Sequence, residues 1–334
     1  MKSNIMKKVP YILLIVSIYI ISVLIPKNNS YFYSTESIFH SKPQKYNLSF
    51  PLYAALPFPV KQAPAKKEVI ENKPDSNGES PIYHTYNTEP AVVSGKMQIK
   101  NSTGYTPDTE SLLETPFPLK GEKPKVLILH THTSEAYAQS SAYSYIPSDA
   151  YRTEDPERNI CLVGDKLTKT LEKHGILAIH DTTSHDYPSY SGCYGRSLET
   201  AQNHLSKDPS IDVIIDLHRD AISDENGNYL KTSTKIDGKD CAQAVIIIGT
   251  DAGGLPHPDW EKNLSLGLKM QETMCKLYPS LMRPLQLRTE RFNGHASGGA
   301  LLIEIGSNGN TMEEALYCAE LVGNAISETL KSLK

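Results

Sequence analysis

The stretch KPKVLILH, residues 123–130, marks the point where the chain begins to read as a folded domain. Its centre, VLIL, is entirely apolar, which is typical of a strand covered on both faces of a sheet. Similar apolar runs follow, and we predict strands over 125–130, 177–181, 213–217, 244–249, 285–288 and 300–305. Helical stretches lie between these runs. The alternation predicts one α/β domain at 123–334, with an open, mostly parallel sheet of about six strands and helices on both faces.

Two of the predicted helices have recognisable ends. Apolar residues recur three or four positions apart over 159–174, and Gly175 follows at the position where a glycine often ends a helix. Thr311 and Glu314 have the spacing of a capping box, which indicates the start of the last helix. Because helices between strands are what an α/β domain requires, these signals support the same architecture.

The segment at 28–122 has the composition of a linker. Twelve of the chain's 22 prolines lie between residues 26 and 118, among Ser, Asn, Thr and Lys, and no apolar period is sustained there. Scattered tyrosines and the stretch LYAALPFPV at 52–60 are more apolar than a plain spacer needs. We therefore predict an extended linker that precedes the single folded domain.

The stretch at 9–25 is the most apolar part of the chain, with 17 residues and no charge. This length is at the short end of what a membrane-spanning helix requires. Lysines precede it at positions 2, 7 and 8 and only Lys27 follows closely, so the positive-inside rule places the N-terminus in the cytoplasm. We predict a single-pass membrane anchor at 1–27 with the rest of the chain outside. The alternative is a cleaved signal peptide, but no small-x-small cleavage pattern follows.

The charge of the chain is nearly balanced, with a net charge of −4 and a pI of about 6.3. Nucleic-acid-binding domains usually carry a strongly basic face, so we predict no nucleic-acid partner. Recognition of a substrate should instead depend on a local site in the folded domain rather than on a long-range field.

Three of the predicted strands end in residues that can bind a metal or move a proton. His132 and Glu135 follow the first strand, His218 follows the third, and Glu304 lies at the end of the sixth. Ligands of open α/β sheets bind outside the carboxyl ends of the strands, so we expect these residues to meet. A catalytic zinc ion requires three protein ligands and one open position. We predict that His132, Glu135 and His218 are these ligands.

Other residues at the same strand ends can support such a site. His130, Asp216 and Asp220 are placed to orient the imidazoles of the ligands, and Arg219, next to His218, joins these supporting residues. Glu304 closes an apolar strand, so desolvation should raise its pKa and suit it to act as general base and then general acid. The alternative roles for Glu304 are an ion pair with an arginine such as Arg219, or hydrogen bonds to backbone amides.

The segments ILHTHTSEAY (128–137), DLHRDA (216–221) and LLIEIGSNGNTMEEA (301–315) together resemble the stage II sporulation protein P family. The resemblance covers the predicted domain. It implies a membrane-anchored peptidoglycan hydrolase that degrades septal cell wall during engulfment in sporulation. It also implies endopeptidase activity on peptide cross-links and partnership with stage II sporulation proteins D and M.

The same segments are similar to the zinc N-acetylmuramoyl-L-alanine amidases, which cut the amide between N-acetylmuramic acid and the L-alanine of the stem peptide. This resemblance implies a zinc amidase-like fold, His132 and His218 as zinc ligands, and Glu304 as the catalytic residue. Gly306 and Asn308 match the motif that follows the catalytic glutamate, so Asn308 joins the residues that support the site.

The acidic ligand is the point where this sequence departs from the amidase pattern. The amidases carry that ligand at the start of the first helix, where this chain has Glu154, Asp155 and Glu157. We prefer Glu135, because it lies in the segment that best resembles the sporulation family. Glu154, Asp155 and Glu157 stay as alternatives.

Two other functions are compatible with the sequence. The pair His130-x-His132 after a first strand also opens the binuclear site of amidohydrolase-like enzymes, but those enzymes use a closed barrel of about 250 residues, longer than this domain. The second alternative is a scaffold that binds cell wall without catalysis. Glu304 argues against a scaffold, because a binding protein has no use for a general base beside a metal.

Overall fold

The structure is a computed structural model that describes residues 84–86 and 88–333. In chain order its strands are β1 (His84–Thr85), β2 (Val92–Val93), β3 (Lys96–Met97), β4 (Ile99–Asn101), β5 (Lys125–Leu129), β6 (Leu177–His180), β7 (Val213–Asp220), β8 (Leu230–Lys231), β9 (Ser233–Ile236), β10 (Lys239–Ala242), β11 (Ala244–Gly249), β12 (Leu285–Arg288) and β13 (Ala300–Ser307). The α-helices are α1 (Thr109–Glu114), α2 (Ile160–Lys173), α3 (Cys193–Lys207), α4 (Trp260–Leu277) and α5 (Met312–Ser332).

The largest sheet has seven strands in the order β4-β12-β11-β13-β7-β5-β6. Its neighbouring strands are parallel except for β11 and β13, which are antiparallel. As a result β13, β7, β5 and β6 run in one direction, and β4, β12 and β11 run in the other. The predicted class, an open and mostly parallel α/β sheet, is confirmed. The carboxyl ends of β5, β7 and β13 therefore lie at the same edge.

Alternate residues of β5 show how the two faces of the sheet are covered. Val126 and Ile128 belong to the larger apolar core, which also contains residues of α2, α4 and α5. Leu127 and Leu129 belong to a smaller core together with Ala201 of α3. Because successive side chains of a strand point to opposite faces, this division places helices on both faces of the sheet, as predicted.

The helix ends follow the signals that the sequence carries. The Asn159 side chain accepts a hydrogen bond from the backbone N–H of Cys161 (2.9 Å) and caps α2. Gly175, just beyond the other end of α2, has a φ of +80°, which a glycine adopts without strain. The capping box of Thr311 and Glu314 is formed at the start of α5.

The sheet begins earlier in the chain than the predicted boundary at residue 123. Strand β4 lies in the predicted linker and pairs in parallel with β12 at one edge of the sheet. Helix α1 is also in that segment and contacts α4, where the hydroxyl of Ser265 donates to the carbonyl of Leu112 (2.7 Å). The sequence did not indicate β4 because three residues are too few for a periodic pattern. The last part of the linker is thus part of the folded domain.

Other predictions for the N-terminal third fall outside the described residues. The predicted anchor at 1–27 and most of the linker at 28–122 precede residue 84. Within residues 84–86 and 88–333, no helix combines the length and the apolar character needed to cross a membrane.

The barrel that an amidohydrolase-like enzyme needs is absent from the described part of the chain. The sheet is open, and β4 and β6 form its two edges. The strand directions also change at the β11 and β13 pair, whereas a barrel of that class has parallel strands throughout. This alternative is therefore wrong at the level of the fold.

Candidate metal centre

Three predicted ligands meet at the carboxyl edge of β5 and β7. His132 and Glu135 lie in the turn that follows β5, and His218 lies within β7, which extends farther than predicted. One ligand atom from each lies within 4.8 Å of the others, and no other such group of His, Cys, Asp or Glu is found in the described residues. The side chains are buried, with His132 and His218 each 1% exposed.

Glu135 lies between the two imidazoles. Its Oε1 atom is 3.3 Å from Nδ1 of His132, and its Oε2 atom is 3.5 Å from Nδ1 of His218. The ring centroids of the two histidines are 5.0 Å apart. Tetrahedral zinc with bonds near 2.0–2.1 Å separates its ligand atoms by about 3.3 Å, close to the two nitrogen–oxygen distances.

The chemistry of this group fits a zinc ion. Two imidazoles and one carboxylate are a usual donor set for catalytic zinc and leave one position open. Among the described residues, Nε2 of His132 is buried without a hydrogen-bond partner. A buried polar atom of this kind is costly unless something binds it. Zinc binding by His132, Glu135 and His218 stays a prediction that this geometry supports.

The electrostatics of the group favour a bound cation. Burial opposes ionisation of Glu135, but hydrogen bonds with His132 and His218 outweigh it and hold the pKa of this carboxyl well below its usual range. Burial also opposes a charge on His218, yet the carboxylates of Asp216 and Glu135 raise the pKa of this imidazole well above its ordinary value. Burial lowers the pKa of His132. The site therefore concentrates negative charge around its histidines.

Glu304 lies on β13, directly beside His218 on the neighbouring strand. The side chain is 1% exposed, and its Oε2 atom has no hydrogen-bond partner among the described residues. Burial and then the negative charge of Asp220 raise the pKa of this carboxyl to about 8. The strand bulges just after Glu304, where Gly306 has a φ of +65° that only glycine adopts easily. A carboxyl of this kind can hold or release a proton near neutral pH.

Two of the predicted supporting residues contact the ligands. Asp216 Oδ1 lies 2.9 Å from Nε2 of His218, and Asp216 is itself held by the backbone N–H and hydroxyl of Thr131. The backbone N–H of Arg219 donates to Oε2 of Glu135 (3.1 Å). These contacts fix the orientation of one histidine and of the carboxylate, as expected around a metal site.

The Arg219 guanidinium is directed away from Glu304. It donates to the carbonyls of Ala136 and Tyr151, both at 2.9 Å. The alternative that Glu304 is merely the ion-pair partner of Arg219 is therefore wrong in this structure.

The remaining supporting residues lie near the site without touching a ligand. His130 contacts the carbonyl of Leu217 and Nε2 of His180, both at 2.8 Å. Asp220 pairs with Arg283 (2.8 Å), and the backbone N–H of Asn308 donates to the carbonyl of Asp220. Because both ring nitrogens of His130 are engaged, the binuclear reading of His130 and His132 has no support here.

The alternative acidic ligands are not near the metal centre. Glu154, Asp155 and Glu157 are exposed and do not belong to the cluster. Glu135 is brought close to both histidines because it lies one turn after His132, where its backbone N–H reaches the carbonyl of that residue (3.3 Å). The geometry favours Glu135 as the acidic ligand.

Four residues that we did not predict contact the cluster or the turn that bears its ligands. Tyr190 stacks on the ring of His132, and Tyr194 meets the same ring edge-on. Arg152 binds Asp186 (2.7 Å) next to the ligand-bearing turn. Three of these four residues follow β6 in the chain, so the rule that strand ends carry function would have found them. Arg152 had no such signal, because it lies in a long loop.

The fold and the site together define a class of protein: an α/β domain with a buried His, Glu, His centre at the carboxyl edge of its sheet. Within that class, the chain belongs to the stage II sporulation protein P (SpoIIP) family, whose sequence pattern matches residues 28–327. The stage II sporulation protein P of Bacillus subtilis (strain 168) is 26% identical over 219 residues, which are 62% of this chain and 51% of that protein. The chain spans about half the length of this curated relative.

Solved structures of amidases are also similar. The N-acetylmuramoyl-L-alanine amidase AmiC2 of Nostoc punctiforme aligns over 64% of this chain and 97% of its own, with 11% identity and a TM-score of 0.37. The CwlD amidase of Clostridioides difficile, solved in complex with the GerS lipoprotein, aligns over 63% of this chain and 98% of its own. Its identity is 14% and its TM-score is 0.39.

Proposed function

We propose that this protein is a zinc-dependent peptidoglycan hydrolase that cleaves the amide between N-acetylmuramic acid and L-alanine. The observation that carries the proposal is the group of three ligand atoms within 4.8 Å, with the buried carboxyl of Glu304 on the adjacent strand. Family membership supports a role in sporulation. The choice of this amide rests on the similarity of Glu304, Gly306 and Asn308 to the motif of the zinc amidases.

The reaction needs a metal, an attacking water and a group that moves protons. When bound, a zinc ion supplies Lewis acidity: it polarises the scissile carbonyl and lowers the pKa of the attacking water. His132, Glu135 and His218 would hold it, and Asp216 keeps the His218 ring in place. Burial of these residues keeps competing water away, which strengthens every electrostatic contact in the site.

Glu304 moves the protons in this scheme. Its carboxylate accepts a proton from the water that attacks the lactyl carbonyl, and the resulting carboxylic acid delivers that proton to the nitrogen of L-alanine. The C–N bond then breaks and leaves a carboxylic acid on the muramic acid and a free amine on the stem peptide. A pKa near neutrality suits a group that must act as base and then as acid, and burial gives Glu304 such a pKa.

The cellular setting extends this proposal. The apolar stretch at 9–25 would anchor the chain in the cell membrane with the N-terminus in the cytoplasm and the hydrolase outside. Stage II sporulation proteins D and M would be its partners, and peptide cross-links a second substrate. The septal wall cleared during engulfment would be the target.

Digestion of purified peptidoglycan tests the proposal. The full chain in detergent is incubated with peptidoglycan, with and without a zinc chelator, and the products are identified by mass spectrometry. We expect free stem peptides that begin with L-alanine, and no such peptides with chelator until zinc is restored. Products whose peptide cross-links are cut would show endopeptidase activity in addition. Release of glycan fragments alone would contradict the proposal. Release of stem peptides at the same rate with and without chelator would also contradict it.

A further inference from the structure

Residues 185–194, which we call the strap, lie over the candidate metal centre. The ligands and Glu304 are at most 4% exposed, so a polymer cannot reach them in this conformation. The groove of about 550 Å³ on the surface lies elsewhere, between α2, β10 and α5, and none of these four residues lines it. The residues that separate the centre from solvent therefore determine access to it.

Tyr190 is the part of the strap that covers His132. Its ring stacks on the imidazole with centroids 4.8 Å apart and planes 22° apart. Tyr194 meets the same imidazole edge-on at 5.6 Å, and His218 does so at 5.0 Å. Tyr190 is half-buried whereas His132 is buried, so the tyrosine lies on the solvent side of the histidine.

The first part of the strap is attached to the turn that bears the ligands. The Asp186 carboxylate accepts hydrogen bonds from the hydroxyl (2.6 Å) and the backbone N–H (3.2 Å) of Ser134. Arg152 donates to Asp186 (2.7 Å), lies 3.7 Å from Glu135, and has its guanidinium carbon 5.1 Å from the centre of the Tyr190 ring. One arginine thus connects a ligand, the strap and the covering tyrosine.

The rest of the strap is attached to α3. Arg196 donates to the backbone carbonyls of His185 (2.7 Å), Ser191 (3.0 Å) and Ser189. The His185 ring in turn contacts the carbonyl of His130 (2.7 Å). Because Arg196 binds carbonyls on both sides of Tyr190, the backbone of the strap is fixed, while within the described residues the tyrosine side chain is held by ring contacts alone.

We propose that Tyr190 is the access-controlling residue of the metal centre, and that a substrate amide reaches the metal only after the Tyr190 ring leaves His132. The inference rests on the proposed function, because it assumes that the cluster binds zinc. Arg152 and Asp186 hold the closed arrangement by fixing the strap to the ligand-bearing turn. Rotation of one side chain opens the centre, since the backbone attachments through Arg196 do not have to break.

The rate at which a chelator removes zinc tests this proposal without a measurement of catalysis. The full chain in detergent is loaded with zinc, and release to excess chelator is followed with a colorimetric indicator. We expect release from Tyr190→Ala to be about fivefold faster than from the unsubstituted protein, the ratio expected for loss of one aromatic pair. Tyr190→Phe should keep the stacking and release zinc at the original rate. Hydrolysis of a soluble N-acetylmuramoyl peptide should rise with Tyr190→Ala.

Ser191→Ala is the matched control. Ser191 is the next residue of the strap, its side chain is exposed, and only its backbone carbonyl is used by Arg196. If zinc is bound in both variants and leaves Tyr190→Ala and Ser191→Ala at equal rates, the access role of Tyr190 is overturned. The proposed zinc site is not affected by that result. Absence of zinc from every variant would overturn the proposed function and this inference with it. If Tyr190→Ala unfolds, Tyr190→Leu provides the same comparison with less loss of packing.

Discussion

Two pairs of neighbouring histidines in the part of the chain that the structure describes differ in one group. His132 and His218 have ring centroids 5.0 Å apart with the Glu135 carboxylate between them. His257 is buried and His295 is half-buried, with ring centroids 6.3 Å apart, and among the described residues no carboxylate oxygen completes a three-ligand group with them. Both pairs include ring nitrogens that are buried without a hydrogen-bond partner in the part of the chain that the structure describes.

The consequence of the missing carboxylate is visible in the charge states. The carboxylates around His218 raise the pKa of its imidazole well above the ordinary value, despite burial. Burial and then the neighbouring His295 lower the pKa of His257 to about 4. Two desolvated imidazoles therefore repel a proton, whereas the same pair around a carboxylate attracts one. The negative charge of Glu135 can stabilise a metal cation in place of that proton, so a pair of neighbouring histidines alone does not indicate a metal site.

The strongest test of this contrast removes one histidine from each pair. We expect His218→Ala to lose its bound zinc and all zinc-dependent hydrolysis, because only two ligands remain. His257→Ala should keep one zinc ion per chain. Metal content after gel filtration, measured by mass spectrometry, distinguishes the two. Zinc loss in His257→Ala, or retention in His218→Ala, would show that the carboxylate is not the deciding group.

The second test separates metal binding from proton transfer within the first cluster. Glu304→Gln removes the group that moves protons and should lower peptidoglycan hydrolysis by about 10³-fold, the usual scale of general acid and base catalysis. Zinc content should not change, because Glu304 is not among the ligand atoms that meet. Glu328→Gln, on the exposed side of α5, is the control. Activity that survives Glu304→Gln would assign the base elsewhere.

A third test concerns the residue that orients His218. Asp216→Asn keeps the shape of the side chain but removes its charge, and we expect zinc affinity to fall about 10- to 100-fold, as for other residues that support metal ligands. Competition with a fluorescent zinc indicator measures the affinity. Glu154→Gln is a useful control because that exposed residue was the alternative ligand. Weaker zinc binding by Glu154→Gln would indicate that Glu154, rather than Glu135, is the acidic ligand.

The smallest effect is expected from the pH dependence of the second pair. The imidazole of His257 has a pKa of about 4 in the folded protein and near 6.5 when unfolded, so the unfolded chain binds more protons between these values. Stability should therefore fall as the pH drops from 6.5 to 4. In His257→Gln the free energy of unfolding should fall by about 1 to 2 kcal/mol less over this pH range, after allowance for solvent screening. Urea unfolding at several pH values measures the slope, and an unchanged slope would contradict this assignment.

The sequence predicted the parts of the fold that long, regular patterns determine. The six predicted strands are all present, most of them as apolar runs, and the capping box at Thr311 and Glu314 depends on local chemistry. The direction of β11, β12 and β4 was not predictable, because it depends on how distant strands pair. Strand β4 is too short to show a period and was assigned to the linker.

The candidate site also contains residues that the sequence predicted and residues that it did not. His132, Glu135, His218 and Glu304 were found because they follow or end strands whose carboxyl ends share an edge. Arg152 contacts this site from a loop with no regular structure, and no local pattern indicates where such a loop returns. Asp216 was predicted to orient an imidazole because it lies at the same strand end as His218, and in the structure both side chains lie on one face of β7.

The edge position of β4 has a mechanical consequence. The chain enters the domain through two short ladders, β1 with β8 and β4 with β12, before it reaches β5 and the ligand-bearing turn. A pulling force on the N-terminal side is therefore borne first by a handful of hydrogen bonds at the periphery. Stretching of single molecules should show these ladders rupture at low force, ahead of the main unfolding event. Rupture of these two ladders would release tension before the force reaches the candidate metal centre.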